Sequence, residues 1–129
     1  MLRRRLIVST LALVMLGAAA RDPVASDGDK YKVLHENDRV RVLEYRDLPG
    51  VRTAEHRHPA FVLYAVAPFK RKLTLPGGKV LVREFKAGEV LYSEEQTHIG
   101  ENVGDTPTHV IMVEIKPAAA YQRPARVTP

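Results

Sequence analysis

The chain of 129 residues carries 20 Lys and Arg against 15 Asp and Glu and contains no cysteine. Disulfides and thiolate chemistry are thereby excluded, so stability has to come from packing, and any metal site from histidines and carboxylates. The formal charge of +5 includes Arg3, Arg4 and Arg5; without them the balance lies close to neutral, and no nucleic-acid partner is implied.

Those three arginines precede the apolar run Leu6 to Gly17 and the small residues Ala18-Ala19-Ala20. A basic start, a short apolar run and a small-residue site predict a secretory signal peptide over 1–20, cleaved after Ala20. The run is shorter than a spanning helix wants, so no membrane attachment is expected after cleavage, and the product is expected to be periplasmic or secreted. Residues 21–30 are polar with a Pro and a Gly and read as a flexible arm. Residues 117–129 are rich in Pro and Ala without apolar periodicity and read as a disordered tail. The length between them, 31–116, suits one domain with a single core.

Within that domain no long amphipathic helical pattern occurs, while short β-branched runs recur between turn signals. Strands are predicted over 31–34, 40–45, 53–58, 61–66, 72–75, 80–85, 90–92, 99–103 and 110–115. Asn37-Asp38, Pro49-Gly50, Pro76-Gly77-Gly78, Ala87-Gly88 and Gly104-Asp105-Thr106-Pro107 supply the turns between them. This pattern is all-β, a sandwich or barrel, without internal repeats. The basic run Lys70-Arg71-Lys72 is expected at a solvated strand end.

His56 and His58 lie two apart, so on a strand they share one face about 6 to 7 Å apart, a spacing that suits two ligands on one ion. Gly50 stands six residues before His56, and a second glycine-led segment runs from Gly88 through His98 to Asn102. Together they resemble the two motifs of the cupin family, G-x5-H-x-H-x3,4-E-x6-G and G-x5-P-x-G-x2-H-x3-N. ENDRVRVLEY from Glu36, HRHP from His56 and HIGENVGDTP from His98 also look like small single-domain cupins, so the resemblance covers nearly the whole domain. The chain departs from the motifs in four ways, the first being that the closing glycine of the first motif falls on Phe69 or Lys70. Val62 and Leu63 stand where the first motif has its glutamate, Glu94 and Gln96 replace the proline and glycine of the second, and the stretch before His98 is one residue short.

The resemblance implies an antiparallel jelly-roll β-barrel with one divalent metal ion, Fe, Mn, Zn, Ni or Cu, held inside by His56, His58 and His98. It places His98 on a strand facing the other two and implies a homodimer. Three neutral imidazoles leave the ion its full charge, which favours a small anionic or chelating ligand and leaves coordination positions open. Protons are expected to compete for the imidazoles below about pH 6. Tyr64 and Tyr92 share the strand parity of His58 and His98, so either phenol is a candidate for an inward proton donor or weak ligand, or for a core filler. Glu94, Glu95 and Glu101 are candidates for the missing carboxylate. Asn102 is expected to satisfy backbone at its turn, His109 is a candidate interior residue, and His35 is expected at the surface. The activities compatible with this reading are a metal-dependent dioxygenase or isomerase and a non-catalytic module for a small ligand or metal. A metal-free barrel using histidine and Tyr64 as acid and base is a third.

Overall fold

The computed structural model describes residues 21–118; the expected signal peptide and most of the expected tail lie outside the described residues. Nine strands follow one short helix: α1 (Pro23–Ser26), β1 (Tyr31–Glu36), β2 (Val40–Asp47), β3 (His56–His58), β4 (Phe61–Ala65), β5 (Phe69–Thr74), β6 (Val80–Phe85), β7 (Val90–Ser93), β8 (Gln96–Asn102) and β9 (Thr108–Ile115). All nine predicted strands are present, shifted at their ends by a few residues.

The strands form two antiparallel sheets, ordered β1-β2-β9-β4-β7 and β3-β8-β5-β6. This is the expected all-β antiparallel jelly-roll barrel. Alternation along each strand decides what faces the interior. From the first sheet Tyr31, Leu43, Tyr45, Phe61, Ala65, Val110 and Met112 are buried, and Phe69 and Phe85 meet them from the second. Burying each large apolar side chain among these contributes about 1.5–3 kcal/mol. Phe69 and Phe85 stack with ring centroids 4.6 Å apart, closing the barrel at the β5–β6 hairpin.

Gly50 and Gly88, which lead the two motif segments, take φ of 83° and 86°. That region of backbone space is open to glycine at little cost, and it turns the chain into β3 and β7. The segment 21–30, expected as a flexible arm, is instead packed. Asp22 caps α1 through Oδ1 to the Val24 N–H at 2.9 Å, with Pro23 buried at the first helical position. The Asp27 carbonyl then accepts from the N–H groups of Lys30 and Tyr31 at 2.9 and 3.1 Å, leading directly into β1.

The basic run 70–72 is also not a solvated strand end throughout. Arg71 points into the barrel, where its Nη1 donates to Asp47 at 2.8 Å and its Nη2 to the Tyr45 hydroxyl at 2.8 Å. Gly100 on the neighbouring strand makes that placement possible, because a Cβ there would stand 2.5 Å from Arg71 Nη2.

Candidate metal centre

β3 and β8 pair with His56 directly opposite His98 and His58 opposite Gln96. Residues of even number face inward on both strands, so His56, His58 and His98 are all buried and meet inside the barrel. One ring nitrogen from each lies within 4.8 Å of the others. The shortened stretch before His98 leaves its phase intact, since His98, Gly100 and Asn102 alternate inward. His98 thus comes from the strand set directly against that of His56 and His58, as expected, and the two strands are hydrogen-bonded neighbours in one sheet.

Each imidazole is held from behind. His56 Nδ1 faces Asp27 Oδ2 at 3.1 Å, His58 Nδ1 faces Glu114 Oε1 at 2.7 Å, and His98 Nδ1 faces Gln96 Oε1 at 2.8 Å. An oxygen acceptor at Nδ1 fixes the proton there and leaves Nε2 with its lone pair, the arrangement that prepares histidine as a ligand. The Nε2 atoms of His56 and His98 stand 3.2 Å apart. Two nitrogens each about 2.1 Å from one ion are separated by about 3 Å, so this spacing fits shared coordination. His58 Nε2 is buried with no hydrogen-bond partner. An orphaned buried acceptor costs about 1–3 kcal/mol, and a cation at this point would satisfy it. On donor chemistry and on this orphaned nitrogen, the three histidines could hold a metal ion.

Electrostatics keep the rings of His56 and His98 neutral. Burial, reinforced by the neighbouring His58, lowers the pKa of His56 to about 4. Burial, then the charges of His58, His56 and Arg71, lower that of His98 to about 2. Both lie below the ordinary value for histidine, so proton competition at these rings starts well below pH 6. Asp27 shifts the other way for its class. Burial opposes its charge, yet hydrogen bonds from Ser26, the Ala54 N–H and His56 outweigh that and hold its carboxyl below the usual value.

The carboxylates at the site are Asp27 and Glu114, which sequence reasoning missed; the candidates Glu94, Glu95 and Glu101 do not reach it. Glu101 pairs with Lys72 at 2.9 Å, Glu95 pairs with Arg57, and Glu94 accepts from Tyr92. Glu114 is buried beside Val110 and Met112 on the inward face of β9 and also accepts from Arg41 Nε at 2.7 Å.

Tyr64 and Tyr92 are corrected as well. They are 47% and 54% exposed, because β4 and β7 turn their odd-numbered residues inward; Tyr92 nevertheless lines the cavity that reaches His98, and Tyr64 does not. The inward phenols are Tyr31 and Tyr45. Tyr31 places its hydroxyl 3.4 Å from His56 Nε2, and burial raises its pKa well above 10, so it keeps its proton. His109 faces outward and pairs with Glu44 at 3.0 Å. Asn102 holds the turn as expected: its Nδ2 donates to the Thr106 carbonyl at 2.9 Å and its Oδ1 accepts from Gly104 N–H at 3.1 Å. His35 is exposed.

A cavity of about 260 Å³ reaches His98 through the barrel. Its walls are mostly apolar, with Phe61, Leu63, Phe69, Phe85 and Met112, and polar groups come from Tyr31, Arg71, Ser93 and Gln96.

No protein-family model matches the chain, and no curated protein matches it. Solved structures do. The chain is similar to a cupin domain from Bordetella pertussis Tohama I, at 29% identity over 67% of this chain and 92% of that one, with a TM-score of 0.62. A double-stranded β-helix domain protein from Klebsiella pneumoniae matches at 24% identity over 70% of this chain and 77% of that one, TM-score 0.55. A Cupin 2 conserved barrel domain protein from Salinispora arenicola CNS-205 matches at 21% identity over 91% and 93% of the two chains, TM-score 0.54. The last two share the fold.

Proposed function

Since the chain is a small single-domain cupin, we propose that it is an exported protein that binds one divalent metal ion through His56, His58 and His98 and receives a small anionic or chelating molecule at that ion. The observation that carries the reading is the anchoring of all three Nδ1 atoms to oxygen acceptors while His58 Nε2 remains buried without a partner. A bound ion would supply Lewis acidity and open positions for oxygen ligands.

The chain's own residues do the rest. Asp27, Glu114 and Gln96 orient the rings. Tyr31 holds its proton at the hydroxyl, a donor for an oxygen atom of the incoming molecule beside His56. Phe61, Leu63, Phe69, Phe85 and Met112 exclude water and select an apolar body. At about 260 Å³ the cavity lies just below the usual range for drug-sized ligands, which favours a compact molecule.

The reaction types compatible with this arrangement are dioxygen insertion and metal-assisted isomerisation. A non-catalytic binding module is the second reading. It is favoured by the commitment of Asp27 and Glu114 to histidines, which leaves neither of them as a general base. The exposed residues Val80, Leu81 and Val82 of β6, an edge strand of its sheet, support a homodimer.

The test is to load the purified protein with iron, manganese, zinc, nickel or copper in turn and follow oxygen uptake and ligand binding with catechols, flavonols and β-diketones. Metal-dependent uptake that disappears in His98→Ala supports the oxygenase, and metal-dependent binding without turnover supports the binding module. Absence of any metal uptake overturns both. N-terminal sequencing of the exported protein is expected to begin at or near Arg21, and a chain retaining Met1 in the membrane fraction would contradict export.

A further inference from the structure

We infer that residues 21–30 form a strap that completes the metal centre from outside the barrel, with Asp27 positioning His56 directly and Asp22 positioning His58 through Arg41 and Glu114. This rests on the reading of the three histidines as metal ligands.

The strap is stitched to the chain on both sides of His56, once within β3 and once just before it. The Arg57 N–H donates to the Arg21 carbonyl at 2.9 Å, and the Ala54 N–H donates to Asp27 Oδ1 at 3.1 Å. Between these ties α1 makes one turn, and its exit is tight: a Cβ at Gly28 would stand 2.8 Å from the Val24 carbonyl oxygen. The result is that Asp27, 4% exposed, presents its second oxygen to His56 Nδ1 at 3.1 Å. The other end of the strap acts at longer range. Asp22 Oδ2 accepts from Arg41 Nη2 at 2.6 Å, Arg41 Nε donates to Glu114 Oε2 at 2.7 Å, and Glu114 Oε1 faces His58 Nδ1 at 2.7 Å.

Two of the three imidazoles are thus backed by carboxylates, and the strap supplies one and braces the other. The barrel itself offers only neutral ligands, because Val62 and Leu63 occupy the motif's glutamate positions. A carboxylate at Nδ1 fixes the tautomer, raises the basicity of Nε2 and places negative charge near the ion without occupying a coordination position. Asp27 can serve both Ala54 N–H and His56 Nδ1–H because both its oxygens accept. Asparagine has a single acceptor oxygen, so its amide would have to face either the Ala54 N–H or the ring, and facing the ring would drive the His56 proton to Nε2.

The experiment uses the full chain as wild type, Asp27→Asn, Asp22→Ala and, as a control on the same strap, Asp29→Asn, whose carboxylate is 75% exposed and meets Lys30. Two quantities are read: the His56 tautomer in metal-free protein, from long-range nitrogen–proton NMR of the ring, and affinity for zinc or cobalt by titration. The expected result is His56 with its proton at Nδ1 in wild type, and a loss of affinity of about 10–100-fold in Asp27→Asn together with an altered tautomer. Asp22→Ala loses less, and Asp29→Asn matches wild type. Wild-type affinity and tautomer in Asp27→Asn, or wild-type affinity in Asp22→Ala, would overturn the inference as stated. A wild type that keeps the Nδ1 proton but takes up no ion would defeat the metal reading while upholding the strap's hold on His56. If Asp27→Asn does not fold, Asp22→Ala decides: unchanged affinity there removes the relay through Arg41 and overturns the proposal as stated.

Discussion

Two polar clusters are buried in this barrel, and they are built to opposite rules. In one, Asp47 accepts from Tyr45, Arg71 and Asn102 at 2.5, 2.8 and 3.1 Å, so that each charge is met by its opposite or by a hydrogen bond. In the other, three imidazoles are anchored at one nitrogen and converge on the other, with His58 Nε2 left over. In the first cluster every charge is met within the chain, although Thr108 Oγ1, on the residue paired with Asp47, is buried without a partner, and the cluster belongs to stability. The second is complete only with something added, and belongs to binding. Burial alone does not separate the two; what does is that the unmet atom of the second is a ring nitrogen converging with two others.

The largest effect that tests this contrast is on the complete cluster. Asp47→Ala leaves Arg71 buried without its carboxylate and is expected to cost about 3–5 kcal/mol in chemical denaturation, with or without metal. His98→Ala should show the reverse pattern: a loss of metal affinity larger than about 100-fold, beyond that of an orienting residue, and little loss of metal-free stability. Comparable destabilisation by both variants would erase the distinction.

A smaller effect is the pH dependence of the metal-free protein. His56 has a folded pKa of about 4, below its unfolded value of 6.5, so the unfolded chain binds a proton first as pH falls. Stability is therefore unaffected by this group above pH 6.5 and is lost at about 1.4 kcal/mol per pH unit from there toward pH 4. His98, depressed further to about 2, adds a parallel loss. Asp47, held below its usual value because Tyr45 and Arg71 outweigh burial, keeps its charge across that window. Denaturation midpoints between pH 7 and 4.5 are expected to fall accordingly, and bound zinc should raise them without flattening the fall, because the folded rings of His56 and His98 carry no proton over most of that window with or without the ion. A flat metal-free profile would show that the rings are protonated in the fold. The smallest expected effect is that of Glu101→Ala, whose carboxylate meets Lys72 at the surface; its metal affinity should match wild type.

The strands and the three histidines were legible because their signals are local: β-branched runs between turn residues, and ligand types at fixed spacing. Errors arose where a face had to be carried from one strand to another. Tyr64 was assigned the parity of His58, but the chain passes from one sheet to the other at Pro59-Ala60, and the phase changes there. On β9 the outer residues Ile111 and Val113 are as apolar as the inner Val110 and Met112, because the strand lies between β2 and β4 and is half-covered outside. Alternation was therefore silent, and Glu114 was missed while His109 was turned inward. Asp27 was missed for another reason. Its role depends on contacts with Ala54 and His56 far along the chain, which a polar stretch with a Pro and a Gly does not announce.

X-ray absorption at the metal edge of protein loaded with one equivalent of zinc or cobalt tests the central claim most directly. One ion per chain, with the scattering signature of three imidazole nitrogens that drops to two in His98→Ala, is the result expected from the convergence of His56, His58 and His98. An ion surrounded by oxygen alone, or an unchanged spectrum at full occupancy in His98→Ala, would contradict it.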